Sequence, residues 1–306
     1  MGNIINLESL TKKYGKVTAL DNISVNIPEG ITALIGPNGS GKTTLINLII
    51  GLIKPNKGKI SVFDLDPWTC GDRVRELVAV LHEKPRFPSW YTGLEYLLYI
   101  ANIYDVPNPK DKIQEVSIKV GIEKSLHRRI GEYSAGMVQR LALAQVLLSN
   151  PKLIILDEPT ANLDPKARIE FLDLIINLRK YEKISFILSS HVLPELERAC
   201  NFVVFLHYGH ALLASNIKDL IRSSCVLDYK IHTSDDSLLF QKAKKVLSEN
   251  IELSESGLLL KASTPEDIRS LLKLILDSGL TLNYIEPERS FLETLYLSAL
   301  NKQNSS

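Results

Sequence analysis

Cysteine is scarce: the 306 residues hold three, Cys70, Cys200 and Cys225, far apart and in no C-x-x-C arrangement. That argues against a disulfide framework and against a zinc site, and it suits a reducing cytoplasm. Charge of one sign is lacking too. With 36 Lys and Arg against 35 Asp and Glu, the formal charge is +1. The chain therefore has no electrostatic footprint for a polyphosphate backbone, and direct nucleic acid binding is not expected. Nor is there a long unbroken apolar run. The stretch between Arg198 and Lys218 has no formal charge, but His207, Gly209, His210, Ser215 and Asn216 interrupt it. Tyr208-Gly209 within it reads as the turn of a strand pair, so it is not a membrane span. The first residues hold no charged segment followed by an apolar signal core, and Asn6 stands where a myristoylation motif wants Ser or Thr. What remains, 45% hydrophobic and 23% charged residues, is an ordinary globular balance in a chain long enough for one large domain and one small one.

The richest local signal is Gly36, Pro37, Asn38, Gly39, Ser40, Gly41, Lys42, Thr43 and Thr44, a full G-x-x-x-x-G-K-[ST] match. It follows an apolar run at residues 31–35 that reads as a buried strand and precedes an apolar helix pattern at 45–50. Successive backbone N–H groups of such a turn converge on phosphates, and the next helix adds the positive end of its dipole. Lys42 is placed to reach the β- and γ-phosphates and Thr43 to offer its hydroxyl to Mg2+. A nucleoside triphosphate is the expected ligand. Residues 153–159, LIILDEP, read as a second apolar strand ending in two carboxylates. Asp157 is expected to hold Mg2+ through water, and Glu158 to orient or deprotonate the attacking water if its strand lies beside the one feeding the phosphate loop.

Residues 133–140, YSAGMVQR, lie just ahead of that strand. They resemble the signature motif of ATP-binding cassette (ABC) ATPases, and further landmarks follow in the family's order. Tyr14 stands where the adenine-stacking aromatic belongs, Glu83 where the Q-loop glutamine does, residues 161–164 (ANLD) where the D-loop does, and His191 where the switch histidine does. The resemblance covers about residues 3–217. It implies a composite site in which two cassettes sandwich ATP. Each nucleotide would be held by the phosphate loop of one copy and, in trans, by Ser134 and the Gly136 backbone of the other. His191 would contact the γ-phosphate in cis, and Asp164 would help join the sites across the interface. The implied cofactors are ATP and Mg2+, with Thr43, Glu83 and Asp157 at the metal.

Two positions depart from the family pattern. Ala135 replaces the first glycine of the signature pair, which costs about 1 kcal/mol if the backbone there needs a positive φ. Glu83 replaces a glutamine; its carboxylate can ligate Mg2+ but offers no amide donor.

The predicted architecture is an α/β P-loop NTPase cassette over residues 1–217, with an antiparallel β layer near the adenine and a largely parallel catalytic sheet. A helical subdomain is expected over about residues 86–150. Phe87, Trp90 and Tyr91 beside Glu83 read equally as a docking surface for a membrane partner or as core of that subdomain. After a polar connection at 215–224, residues 218–306 follow the order βαββαβ, a small ferredoxin-like α+β domain with an amphipathic last helix at 290–300 and a disordered end at 302–306. This tail resembles that of exporter-type, multidrug-family subunits, with residues 292–296 (LETLY) a loose match to their final motif. The expected protein is an ATP-hydrolysing subunit on the cytoplasmic face of the cell membrane. It would work with a second cassette and a separate transmembrane permease. The alternatives are a soluble cassette acting on ribosomes or DNA, an importer ATPase, and a catalytically weak regulatory cassette.

Overall fold

The computed structural model describes residues 2–190, 192–223, 228–247, 250–254, 257–261 and 264–304. His191 and Cys225 lie outside the described residues, as do Ser256 and the two final serines. The chain divides into two compact units, Met1–Asn216 and Ile217–Ser306.

The first unit begins with two long strands, β1 (Asn3–Tyr14) and β2 (Val17–Pro28), and continues with β3 (Ile31–Ile35), α1 (Lys42–Ile49), β4 (Lys57–Val62), α2 (Gly71–Leu77) and β5 (Val78–Leu81). The helical stretch follows as α3 (Gly93–Ile103), α4 (Pro109–Val120) and α5 (Ala135–Leu147). The unit closes with β6 (Leu153–Asp157), α6 (Pro165–Glu182), β7 (Ser185–Ser189), α7 (Leu193–Ala199), β8 (Phe202–His207) and β9 (His210–Asn216).

Strands β2, β1 and β4 form the expected antiparallel layer, with β4 a third member that the sequence pattern did not give. The larger sheet has the order β5-β6-β7-β3-β8-β9, parallel throughout except for the β8–β9 hairpin at its edge. Every residue of β3 and β7 is buried, so neither shows the polar–apolar alternation of a half-exposed strand. Because β3, β6 and β7 are parallel, their C-terminal ends share one edge of the sheet, where ligands of open α/β sheets bind. Leu45, Leu48 and Ile49 of α1 sit in one apolar cluster with Ile5 and Leu20 of the antiparallel layer and Ile155, Ile187 and Val204 of the parallel sheet. One core thus supports both layers.

The helical stretch is set by caps. Thr92 and Glu95 form a reciprocal capping box on α3, Pro109 opens α4, and Gly121 closes it at φ +73°. Helix α5 begins earlier than its apolar pattern suggests, with Ser134 as N-cap. Trp90 is 72% exposed, so it is no core residue, whereas Phe87 packs edge-on against Tyr96 at 4.9 Å. Phe87 thus packs within the helical stretch and Trp90 does not.

In the second unit, residues 217–223 form a helix, α8 (Ile217–Ser223), where an irregular connection was expected; Ile217 and Leu220 are buried beneath it. There follow β10 (Tyr229–Thr233), α9 (Asp236–Leu247), β11 (Ile251–Ser254), β12 (Gly257–Leu260), α10 (Pro265–Asp277), β13 (Leu282–Pro287) and α11 (Phe291–Asn304). The last helix runs to Asn304, through part of the end expected to be disordered. The antiparallel order β11-β12-β10-β13 is that of a ferredoxin-like sheet. Its core of Ile231, Leu239, Leu258, Leu260, Leu271 and Ile275 is a separate cluster. Among the described residues no helix is long and apolar enough to cross a membrane.

Leu260 is fully buried in this second core. Leu260→Ala should cost about 2–5 kcal/mol there, which calorimetry will record as earlier melting of the C-terminal unit with the larger transition in place.

A candidate nucleotide-binding and hydrolysis site

The phosphate loop is shaped by what presses on it from behind. A Cβ at Gly36 would lie 2.3 Å from the Leu206 carbonyl oxygen, and one at Gly41 would lie 2.7 Å from that of Ala19. Gly41 also has φ +107°, a conformation that L side chains resist. The loop passes into α1 with Gly41 at the N-cap and no side chain capping the first turn. Its leading N–H groups therefore stay available to an anion, together with the positive end of the helix dipole. The Ser40 hydroxyl is buried with no hydrogen-bond partner among the described residues.

In front of the loop lies a cleft of about 510 Å3 lined by Tyr14, Asn38, Gly39, Gly41, Lys42, Thr43, Thr44, Glu83, Asp157, Glu158 and neighbours on β2. Most of the residues expected at the nucleotide thus line one cavity. Gly36, Pro37 and Ser40 form the wall of the loop behind them. Tyr14 is about half exposed at the end of β1, with the Lys12 ammonium 5.2 Å from its ring centre. Lys42 Nζ donates to the Gly36 and Pro37 carbonyls at 2.6 and 3.2 Å. Burial pulls this ammonium below the ordinary lysine range, opposed by the Glu158 and Asp157 carboxylates, which favour its charge.

The carboxylates arrive differently from the sequence expectation. Strand β6 does not lie beside β3, because β7 runs between them. Both carboxylates still line the cleft because β7 carries a bridge. Ser189 Oγ donates to Asp157 Oδ1 at 2.6 Å and accepts from the Glu158 N–H at 3.0 Å. Glu158 has φ +49°, a strained backbone for a residue with a Cβ, and such strain gathers at functional positions. Ser189 was missed from sequence, its only signal being a lone hydroxyl at the end of an apolar strand.

Among the described residues no three His, Cys, Asp or Glu side chains cluster as a metal site. Thr43, Glu83 and Asp157 instead supply three oxygen donors to one cleft, which fits Mg2+ held largely by phosphate and water. Glu83 also pairs with Lys84 at 3.2 Å, and its carbonyl accepts from the buried Gln139 amide of α5 at 3.3 Å.

Three expected residues are not brought to this cleft. Ser134 caps α5, its Oγ accepting from Met137 N–H at 3.3 Å. Gly136 lies in the first turn of that helix, and Asp164 caps α6, accepting from Ala167 N–H at 2.9 Å. Ala135 is the first helical residue and is not among the positive-φ positions, so the expected strain there is absent.

The β8–β9 turn reaches the loop as well. Gly209 N–H donates to the Ser40 carbonyl at 3.1 Å, and the Gly209 carbonyl accepts from Asp21 N–H at 2.8 Å. A Cβ there, at φ +81°, would lie 2.9 Å from the Ala19 carbonyl oxygen. The sequence showed the turn but not this clamp. Gly209→Ala should therefore weaken ATP binding by about tenfold or more, through about 1–2 kcal/mol of backbone strain passed to the loop, as fluorescent-nucleotide titration will record.

A family model described as ABC transporter matches residues 20–161. The uncharacterized ABC transporter ATP-binding protein YxlF of Bacillus subtilis (strain 168) is 33% identical, over 97% of this chain and all of its own length. The bacitracin transport ATP-binding protein BcrA of Bacillus licheniformis is 31% identical over 98% of both chains. Among solved structures, cbiO1 from Clostridium perfringens, part of the ABC transporter complex cbiONQ, superposes with a TM-score of 0.68 at 27% identity. The match covers 72% of this chain and 92% of that one. With the phosphate loop, the paired carboxylates and the signature helix in one cassette fold, and with relatives alike from end to end, this chain belongs to the ATP-binding proteins of ABC transporters, a family of ATPases.

Proposed function

We propose that the chain is the ATPase subunit of an exporter of the multidrug type, working as a dimer on a separate transmembrane permease. The observation that supports transport for the whole chain is the extent of the likeness to the bacitracin transport protein, 98% of both chains, which takes in the C-terminal α+β unit; the export direction is taken from the resemblance of that unit to exporter-type tails. Solved cassettes such as cbiO1 stop short of it, covering 72% of this chain.

In this reading the phosphate loop and the head of α1 bind the triphosphate, Lys42 reaches the β- and γ-phosphates, and Tyr14 stacks on the base. Thr43, Asp157 and Glu83 hold Mg2+, which neutralises charge on the phosphates. Glu158 takes a proton from the attacking water; its support is its place in the cleft beside Lys42 and the fixing of its backbone by Ser189. His191, outside the described residues, is assigned to the γ-phosphate of the nucleotide bound by its own chain on the family resemblance alone. The signature residues Ser134 and Gly136, with Asp164, serve the partner cassette's nucleotide. That assignment is supported by their standing at helix N-termini outside their own cleft. Two copies are then needed for one complete site.

The permease is assigned to a groove of about 530 Å3 between α2, β5 and α5, lined by residues such as Arg75, Val80, Tyr104 and Gln145. Exposed aromatics nearby in the sequence, Trp90 and Tyr99, suit such an interface.

Glu158→Gln should keep ATP bound while slowing turnover by about 10²–10⁴-fold; unchanged turnover would remove Glu158 from its role. The same variant, used with Mg-ATP to capture partners from gently solubilised host membranes, should bring down a polytopic membrane protein. Ribosomal or DNA-bound partners alone would overturn the transporter assignment. Trp90→Ala should leave the melting temperature and basal ATPase of the purified chain unchanged, yet reduce that capture by about tenfold, the order of a 1–2 kcal/mol interface loss.

A further inference from the structure

The segment that follows Glu158 and the helix that follows position 191 meet at one carboxylate. Thr160 is 2% exposed, and its hydroxyl donates to Glu195 Oε2 at 2.8 Å. The other oxygen, Oε1, lies 3.5 Å from Arg168 Nη1. Arg168 Nε in turn donates to the Leu163 carbonyl at 2.8 Å. Glu195 belongs to the first turn of α7, four residues after position 191, and its side chain is 15% exposed. Short turns continue the connection at both ends. Ala161 N–H reaches the Glu158 carbonyl and Leu163 N–H the Thr160 carbonyl, while Val192 N–H bonds to Ser190 Oγ. Asp164, at the end of the first segment, caps α6.

We propose that Glu195 is a positioning residue that locks the Glu158–Asp164 segment to the first turn of α7, so that the two move as one body during turnover. The physical basis is the price of separating them. A buried hydroxyl and a mostly buried carboxylate paired with Arg168 lose their partners together if either segment shifts alone, and water replaces them poorly. The outer contact between the same helices, Arg198 to Asp173 at 2.6 Å, is about half exposed and is screened by solvent. The inner carboxylate therefore dominates. In the dimer reading on which this proposal rests, one segment carries the general base and the residue facing the second cassette, and the other follows position 191, assigned to the γ-phosphate contact. Coupling them ties hydrolysis in one site to the state of the interface.

The test uses the full chain with five variants, measuring kcat, KM for ATP and melting temperature. Glu195→Ala and Thr160→Val should each lower kcat by about tenfold or more with KM within about twofold, the pattern of an interaction lost in the transition state. Glu195→Gln keeps an acceptor for Thr160 but not the charge facing Arg168, and should fall between. Thr160→Ser restores the hydroxyl and should restore kcat. The double variant Thr160→Val/Glu195→Ala should be no slower than the worse single, as for two members of one unit. Single-variant kcat values within about twofold of the parent, or additive losses that track melting temperature, would overturn the proposal. Should Glu195→Ala fail to fold, Thr160→Val against Thr160→Ser decides alone, because only the serine keeps the hydroxyl. If Glu158→Gln retains full turnover, the general-base assignment falls while the non-additivity of Thr160 and Glu195 still tests the brace.

Discussion

The larger unit depends on a constraint of space: a run of backbone N–H groups must face outward at the head of α1 with only hydrogen atoms between the loop and the strands behind it. The Leu206 carbonyl stands where a Gly36 side chain would go, and the Ala19 carbonyl where a Gly41 side chain would go. Those two carbonyls belong to different sheets, since Leu206 ends β8 and Ala19 lies on β2. The loop therefore has its shape only when both layers are docked, which gives the shared apolar cluster around α1 a functional consequence. Gly209 closes the arrangement by bonding to Ser40 on one side and Asp21 on the other.

The same logic governs the carboxylates. Strand β7 keeps β6 one place away from the phosphate-loop strand, so Asp157 and Glu158 reach the cleft across an intervening strand. A hydroxyl at Ser189 spans the gap, accepting from one backbone and donating to the neighbouring carboxylate. A methyl in its place would cost the part-buried Glu158 N–H this bond and leave the longer 3.2 Å one to the Ser189 carbonyl. The positive φ at Glu158 depends on this support, because strained backbone persists only where its surroundings over-determine it.

What was legible in the sequence was short-range. The phosphate loop, the apolar strands and the ferredoxin-like order of the tail all follow from spacings of a few residues. Strand adjacency was not legible, since nothing within residues 153–159 says that β7 is inserted between β6 and β3. For the same reason Ser189, Gly209 and Glu195 escaped notice, each acting on a partner about 30 to 190 positions away. The strain expected at Ala135 failed for a local reason: that residue opens a helix, where φ is negative and alanine is favoured. Phe87 and Trp90, three residues apart and chemically alike, could not be told apart until burial separated them.

The division of the expected nucleotide contacts sets an energetic requirement on the proposed dimer. The residues lining the cleft supply the loop, Lys42 and the carboxylates, whereas Ser134, Gly136 and Asp164 stand at other helix ends. To move cassettes from almost all apart to almost all closed, the nucleotides must favour the closed state by about 5.5 kcal/mol. Two helix N-termini acting as dipoles supply about 0.3–1 kcal/mol each, which is too little. Hydrogen bonds to an ionised phosphate contribute about 1.5–3 kcal/mol each, so two at each of the two composite sites, about 6–12 kcal/mol together, suffice. The closed state then rests on direct contacts from the head of α5 to the γ-phosphate. Ser134 has already committed its oxygen to Met137 N–H as an acceptor, which leaves its O–H and the first-turn N–H groups as the donors. Cleavage alone leaves inorganic phosphate still able to accept these bonds, so in the proposed dimer it is the departure of that phosphate that removes their common acceptor and lets the pair reopen.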